Sequence, residues 1–319
     1  MNEKKLFCVF IFILSIFPVK SFSWENNVHY SVSFPTPEKG WAVGAYGNIK
    51  HTEDSGKTWR RQKSPTEFFL TSVQFIDTKK GWACGYKAII YTEDGGENWI
   101  NLKVPYKYYF KSLYFIDDKK GWVVGEFSTI LHTEDGGKTW KIQRTGQDFA
   151  LHAVSFSDRF HGWAVGEFGV IYSTKDGGTS WELQRTPGER DDVLSGFGIT
   201  GKTLWQIKAI TKNEALACGV EATVIHTEDG GKTWRELFFP GPKTSLYAIS
   251  FWKEKIIVGG KGILAISDDG GKTWAKLNLN LMFKYGWAYN ISPGSECLYM
   301  ATSTNIYKSR DGKNWERID

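Results

Sequence analysis

The sequence predicts an all-β protein, a seven-bladed β-propeller with four antiparallel strands per blade. Three observations carry that expectation. The phrase TEDGGKTW stands at Thr133 to Trp140 and Thr227 to Trp234. Relatives stand at Thr52 to Trp59, Thr92 to Trp99, Thr174 to Trp181 and Ser267 to Trp274, and a shorter copy at Ser309 to Trp315. Its aspartates, Asp54, Asp94, Asp135, Asp176, Asp229, Asp269 and Asp311, follow one another at intervals of 40, 41, 41, 53, 40 and 42 residues, the signature of a repeat array. A second marker runs in phase: GWAVG at Gly40 to Gly44, GWACG at Gly81 to Gly85, GWVVG at Gly121 to Gly125 and GWAVG at Gly162 to Gly166. It weakens to ALACG (Ala215 to Gly219), KIIVG (Lys255 to Gly259) and CLYMA (Cys297 to Ala301). Finally, 15 Trp, 14 Tyr and 21 Phe among 319 residues suit half-buried pleated surfaces, and 34 Gly imply many tight turns.

The chain opens on a targeting pattern. Lys4 and Lys5 precede an apolar run from Leu6 to Phe17 broken only by Ser15, Pro18 ends any helix, and Ser21 and Ser23 flank a small-residue cleavage site. This order describes a secretory signal peptide over 1–23, too short to span a bilayer comfortably. Export to the periplasm, or to a thylakoid lumen in a photosynthetic source, is expected, with no stable membrane insertion after cleavage. Cys8 lies too early for a lipid acceptor.

The remainder, 24–319, divides into blades of roughly 24–63, 64–104, 105–145, 146–186, 187–238, 239–279 and 280–319. Each unit offers an alternating segment such as SVQF (Ser72 to Phe75), the GWAVG segment, a segment such as AIIYT (Ala88 to Thr92), and a strand opened by the Trp of the aspartate phrase. No 3.6-residue period appears, and four short strands per unit in seven units make a propeller. Whether one blade is shared between the two ends of this array stays open.

The aspartate phrase has a mechanical reading. Asp accepts backbone N–H bonds in a tight turn, Thr or Ser assists, glycines supply positive φ, and Trp59, Trp99, Trp140, Trp181, Trp234, Trp274 and Trp315 bury area beside the turn. Calcium-loop spacing is absent. Cys84 and Cys218 stand where other repeats have Val, so both are expected as buried free thiols; with Cys297 they make an odd set.

The phrase resembles the Asp-box, or bacterial neuraminidase repeat. Combined with GW-[AV]-[VAC]-G at a 41-residue period, it resembles the photosystem II assembly and stability factor family of plants and cyanobacteria and its relatives in non-photosynthetic bacteria, over about Val28 to Arg317. The resemblance implies a seven-bladed propeller outside the cytosol and a non-catalytic role, holding a newly made membrane protein during complex assembly. No residue of that family's binding patch aligns to a local motif here.

If the aspartate turns join third and fourth strands on one face, the opposite face gathers the loops after GWAVG and the loops between repeats. Phe68, Phe69, Lys103, Tyr106, Lys107, Tyr108, Tyr109, Phe110, Lys111, Arg144, Arg185, Phe238, Phe239, Lys261, Phe283, Lys284 and Tyr285 fall there. So does Arg190, in a long insertion from Arg185 to Lys202. Lys103, Tyr106, Lys107, Tyr109, Arg144, Arg185, Arg190, Lys261, Lys284 and Tyr285 are the partner-binding candidates, since aromatic and Arg side chains anchor interfaces.

The formal net charge of +5 is far from a nucleic-acid binder's, and the reading is of a monomer with a protein client, no cofactor and no metal. A carbohydrate-active propeller, sialidase-like or a lectin, is the runner-up, with Glu126 and Glu167 a carboxylate pair at matching positions of neighbouring repeats. His51, His132 and His226 share a repeat register rather than a metal. Gly196 to Gly201 matches G-x-G-x-x-G with no helix after it. The Lys79-Lys80 and Lys119-Lys120 pairs read as solvated turns, and Asn290 opens a glycosylation sequon.

Overall fold

The structure is a computed structural model and describes residues 28–144, 148–185, 201–277 and 286–319. The proposed signal peptide, most of the long insertion and the segment holding Phe283, Lys284 and Tyr285 lie outside the described residues. Seven four-stranded antiparallel sheets, each taken from consecutive strands, form the blades of a seven-bladed β-propeller. Blade one comprises His29–Ser33, Gly40–Gly44, Ile49–Thr52 and Arg60–Arg61; blade seven comprises Ala288–Pro293, Leu298–Thr302, Ile306–Ser309 and Glu316–Arg317. No strand is shared between these two blades.

The two sequence markers interlock across blade boundaries. Trp41 of blade one stacks on Phe75 of blade two at 3.6 Å between ring centroids and donates its indole N–H to the Gly95 carbonyl in the aspartate turn of blade two. Trp82 repeats the contact with Phe115 and Gly136, one blade on. Trp41, Trp82 and Trp122 are fully buried, so each boundary gains the hydrophobic and stacking energy of a large ring. The GWAVG strand is therefore buried on both faces, against two blades at once.

Strand pairing corrects the repeat register in the last two blades. Gly85 pairs with Leu70, and its equivalent in blade six is Gly260, paired with Leu246; in blade seven it is Thr302, paired with Ala288. The weak markers are thus IIVGG and LYMAT, one residue later than KIIVG and CLYMA. Backbone proximity is the reason: a methyl added at Gly85 or Gly260 would land on the carbonyl of Phe69 or Ser245. The corrected register makes Tyr299 the equivalent of Trp41 and Trp82.

Tyr299 closes the ring. It stacks on Phe34 of blade one and donates its hydroxyl to the Pro37 carbonyl at 3.2 Å. Asn290 Oδ1 accepts the Val32 N–H, and Trp59 Nε1 donates to the Ile318 carbonyl at 2.8 Å. Side chains, not a composite sheet, hold the seam. Asn290, half-buried, lines the inner wall and spends its amide oxygen on this bond.

The aspartate turns are uniform. Asp54 Oδ1 accepts the Thr58 N–H at 2.8 Å, its Oδ2 accepts the Thr58 hydroxyl at 2.6 Å, and Thr52 Oγ1 accepts the Gly56 N–H at 2.9 Å. The same bonds recur around Asp94, Asp135, Asp176, Asp229 and Asp269, and in shortened form at Asp311. Cys84, Cys218 and Cys297 are buried free thiols. Of the turn tryptophans, Trp99 is buried and the other six are half-buried.

Candidate functional site

The face opposite the aspartate turns is organised by an irregularity that recurs in all seven blades. Each inner strand slips register near its start: between His29 and Ser31, Leu70 and Ser72, Leu151 and Ala153, Leu204 and Gln206, Leu246 and Ala248, and Ala288 and Asn290, with the same step opposite Val124 and Gly125 in blade three. A β-bulge leaves one residue outside the ladder and re-aims its side chain. The residues so released are Tyr30, Thr71, Lys111, His152, Trp205, Tyr247 and Tyr289.

These residues meet around the axis. Tyr30 packs edge-on against Tyr289 at 5.2 Å, Tyr289 lies 6.2 Å from Tyr247, Tyr247 5.6 Å from Trp205, and Trp205 stacks on His152 at 4.3 Å. Trp287 adds a ring 5.8 Å from both Tyr247 and Tyr289. Thr71 donates its hydroxyl to the Phe110 carbonyl at 3.0 Å, and the Lys111 ammonium sits 3.8 Å from the Tyr109 ring centre. The result is a collar of aromatic and cationic side chains at the mouth of the axial channel.

Burial and charge tune the collar. Burial pushes the Tyr289 hydroxyl up, with Tyr30 and Tyr247 adding to it, so it stays a neutral donor. His152 is pushed down to about 3 by burial and by Lys111, so its ring is neutral, and its Nδ1 lies 3.1 Å from the Leu204 carbonyl. Lys111 is shifted down by burial, which Glu126 and Glu167 oppose.

Outside the collar, the turns after the GWAVG strands hold side chains in the left-handed region: Tyr46 at φ 54°, Lys87 at 59°, Phe127 at 56° and Phe168 at 57°. Bulky residues rarely adopt this conformation, and it concentrates at sites of function. Tyr46 and Phe127 are 55% and 47% exposed. Phe68, Phe69, Tyr86 and Tyr109 form a further cluster, with Lys87 4.7 Å from the Tyr86 ring centre.

The sequence candidates distribute unevenly over this face. Tyr109 belongs to the cluster beside the collar, and Lys261 bridges through its backbone to Trp287, with its ammonium 6.0 Å from that ring. Lys103, Tyr106 and Lys107 are exposed in the connection from blade two to blade three, where Tyr106 stacks on Tyr108 at 5.3 Å. Arg185 ends the outer strand Glu182–Arg185, and Arg144 ends Lys141–Arg144. Arg190, Lys284 and Tyr285 lie outside the described residues.

Phe110, expected among the surface aromatics, is instead fully buried, because it holds the boundary position that Leu70 and Leu151 hold in their blades. Phe239 packs on Trp274, while Phe238 is 78% exposed. Sequence reasoning missed Tyr30, His152, Trp205, Tyr247 and Tyr289. The available signal was their common place one residue after the boundary position.

The carboxylate pair has structural employment. Glu126 accepts the Tyr109 N–H at 3.3 Å and Glu167 the Ala150 N–H at 2.8 Å, each steadying the chain as it enters its own blade. His51 stacks on Trp41 and His132 on Trp122, while His226 meets Glu214 at 3.1 Å. Among the described residues no group of three metal-ligating side chains comes together. Lys80 pairs with Asp118 and Lys120 with Glu134 on the aspartate-turn face. A groove of about 820 Å³ between blades two and three on that face includes Asp94 and Asp135, both already committed to their own turns.

Comparison with known proteins follows the same lines. A family model described as photosynthesis system II assembly factor YCF48 matches residues 19–108, 59–146, 101–195 and 199–318. The photosystem II stability/assembly factor HCF136, chloroplastic, of Arabidopsis thaliana is 33% identical over 61 residues, 18% of this chain and 15% of that protein. The photosystem II assembly lipoprotein Ycf48 of Synechocystis is 34% identical over 61 residues, 18% of each. The matched stretch thus spans under a fifth of either relative. Among solved structures, YCF48 bound to D1 peptide superposes with a TM-score of 0.71 at 20% identity, covering 90% of this chain and 92% of that one. A GH74 xyloglucanase from Xanthomonas campestris gives 0.71 at 12% identity, covering 92% of this chain and 55% of that one. At these identities the superpositions speak to the fold.

Proposed function

The chain belongs to the photosynthesis system II assembly factor YCF48 family, and from that premise we propose that it is a non-catalytic propeller that binds a protein client on its loop face, as an assembly or stability factor for a membrane or periplasmic complex. The observation that carries the reading is the collar of Tyr30, His152, Trp205, Tyr247 and Tyr289, flanked by exposed Tyr46 and Phe127, all on one face. Rigid aromatic side chains with a polar edge give large contact area at small entropy cost, and they dominate protein interfaces. Lys103, Lys107, Arg144, Arg185, Arg190 and Lys261 are proposed as the charged rim that steers the client.

The proposal includes export to the periplasm, or to a lumen in a photosynthetic source, by the leader over 1–23, and action as a monomer without cofactor or nucleic acid. Among the described residues no helix is long and apolar enough to cross a membrane. The similarity to the solved structure of YCF48 bound to D1 peptide supports a peptide segment of a membrane subunit as the client.

Affinity capture from detergent-solubilised membranes of the source organism tests the reading. Wild-type protein is expected to recover a membrane-complex subunit. Trp205→Ala with Tyr247→Ala is expected to lose at least ten-fold in recovery at unchanged circular dichroism. Equal recovery by the variant sinks the collar as the client site.

The carbohydrate-active alternative draws on the GH74 superposition and on aromatic rings able to stack on sugars. A screen against fluorogenic sialosides and xyloglucan oligosaccharides separates the two. Turnover abolished by Glu126→Gln or Glu167→Gln favours the alternative, while no turnover leaves the binding role standing.

A further inference from the structure

Below the collar, the axial channel encloses about 430 Å³ and is lined by the inner strands. One strand position knits neighbouring blades together along its wall. Ser33 Oγ accepts the Phe75 N–H at 2.9 Å, Gln74 Oε1 accepts the Phe115 N–H at 2.8 Å, and Ser155 Oγ accepts the Ala209 N–H at 3.1 Å. In every case an acceptor on one blade satisfies the inward N–H of the next.

Blade five has no acceptor to offer there. Its residue at this position is Lys208, whose ammonium can only donate. Among the described residues Lys208 makes no ion pair, and no Asp or Glu lines the channel wall. A cation therefore stands on the wall at the position that Ser33, Gln74 and Ser155 hold in blades one, two and four. Leaving a largely buried charge without a counter-charge is costly, and burial shifts the Lys208 ammonium down accordingly.

We propose that the axial channel is a binding site for a singly charged carboxylate, held by Lys208 Nζ. Ser33 and Ser155 keep their hydroxyl protons free while accepting an N–H, so they add donors to the same wall. One cation matches one negative charge, and the aromatic collar above suits an apolar body attached to the acid. Two sources carry this chemistry, a small organic acid and the free carboxyl end of a peptide. The inference stands apart from the client reading, since the site needs nothing beyond the folded chain.

Calorimetric titration of the purified protein at constant ionic strength tests it. The probes are acetate, hexanoate, an N-acetylated Ala-Leu-Ala tripeptide acid and its C-terminal amide. At least one acid is expected to bind saturably, and Lys208→Gln to weaken it ten-fold or more. Gln is the residue that blade two uses at this position, so this variant should melt no lower than wild type, which separates lost binding from lost fold. Binding of the tripeptide acid but not its amide identifies a chain end; binding of hexanoate with indifference to either tripeptide identifies a small acid. Saturable binding unchanged in Lys208→Gln, equal saturable binding of the tripeptide amide and acid, or no binding by any probe overturns the proposal. The titration requires no client, so its failure leaves the capture experiment untouched.

Discussion

Tyr299 in the last blade lies flat on Phe34 in the first, with ring centroids 3.5 Å apart and planes 2° from parallel. It holds the place that tryptophan occupies in the first four blades, and its partner is the same Phe that those tryptophans meet in blades two to four.

Tyr299 therefore does at the seam what a tryptophan does at the earlier boundaries. Tyr299→Ala is expected to cost roughly 3–5 kcal/mol, as for large-to-small changes at a packed aromatic site. Tyr299→Phe removes only the bond to Pro37, at about 1 kcal/mol. Urea unfolding measures both. An alanine variant as stable as wild type would mean that the seam is held elsewhere.

Gln62 accepts the Trp99 indole N–H at 3.1 Å and donates to the Gly95 carbonyl at 2.8 Å. Gln143 serves Trp181 in the same way. Leu102 stands at the equivalent place before Trp140, whose buried indole nitrogen has no partner among the described residues. Leu102→Gln supplies the missing acceptor and is expected to stabilise by about 1 kcal/mol, while Gln62→Leu destabilises by about 1–3 kcal/mol. Melting temperatures that move in the opposite directions would refute this clamp.

Stability is expected to fall with acid in two adjoining stages. Burial holds His51 at about 4 and His152 at about 3, and lowers His29 and His132. Between pH 6.5 and about 4 the unfolded chain takes up protons that the folded chain refuses, so stability drops as pH falls. The turn aspartates then follow. Bonds from the Thr58, Thr233 and Thr273 hydroxyls and N–H groups hold Asp54, Asp229 and Asp269 at about 2, and their contribution disappears between about pH 4 and 2. His51→Phe, which also removes two buried unpartnered nitrogens, is expected to flatten the upper stage. Denaturation midpoints across pH 2–8 for both proteins check the assignment; an unchanged upper stage would rule His51 out as a contributor.

Collar residues should respond separately from the frame. Trp205→Ala is expected to weaken client capture ten-fold or more, whereas Lys80→Ala on the aspartate-turn face leaves it unchanged. Equal losses from both would place the contact over the whole rim rather than at the mouth.

The architecture was legible because its evidence is spacing: seven aspartates at a nearly constant interval leave little else for the chain to be. Register was legible only where the marker stayed intact. In blade six the tandem Gly259-Gly260 offers two candidates for one backbone-contact position, and in blade seven Thr302 replaces the glycine altogether, so pairing alone decides. The collar stayed hidden for a related reason. Alternation assigns Tyr30 or Tyr247 to a face by counting in twos, and a bulge breaks the count at the residue in question. Phe110 shows the converse, since an aromatic residue in a loop-like stretch reads as surface until its pairing with Gly125 places it at a boundary.

Because each bulged side chain leaves the ladder, its identity is not dictated by strand pairing. Tyrosine, threonine, lysine, histidine and tryptophan all occur at that one station. Seven such stations behave like the wheels of a combination lock: any one can be turned to a new letter while the casing stays as it was, and specificity can drift without the fold having to follow.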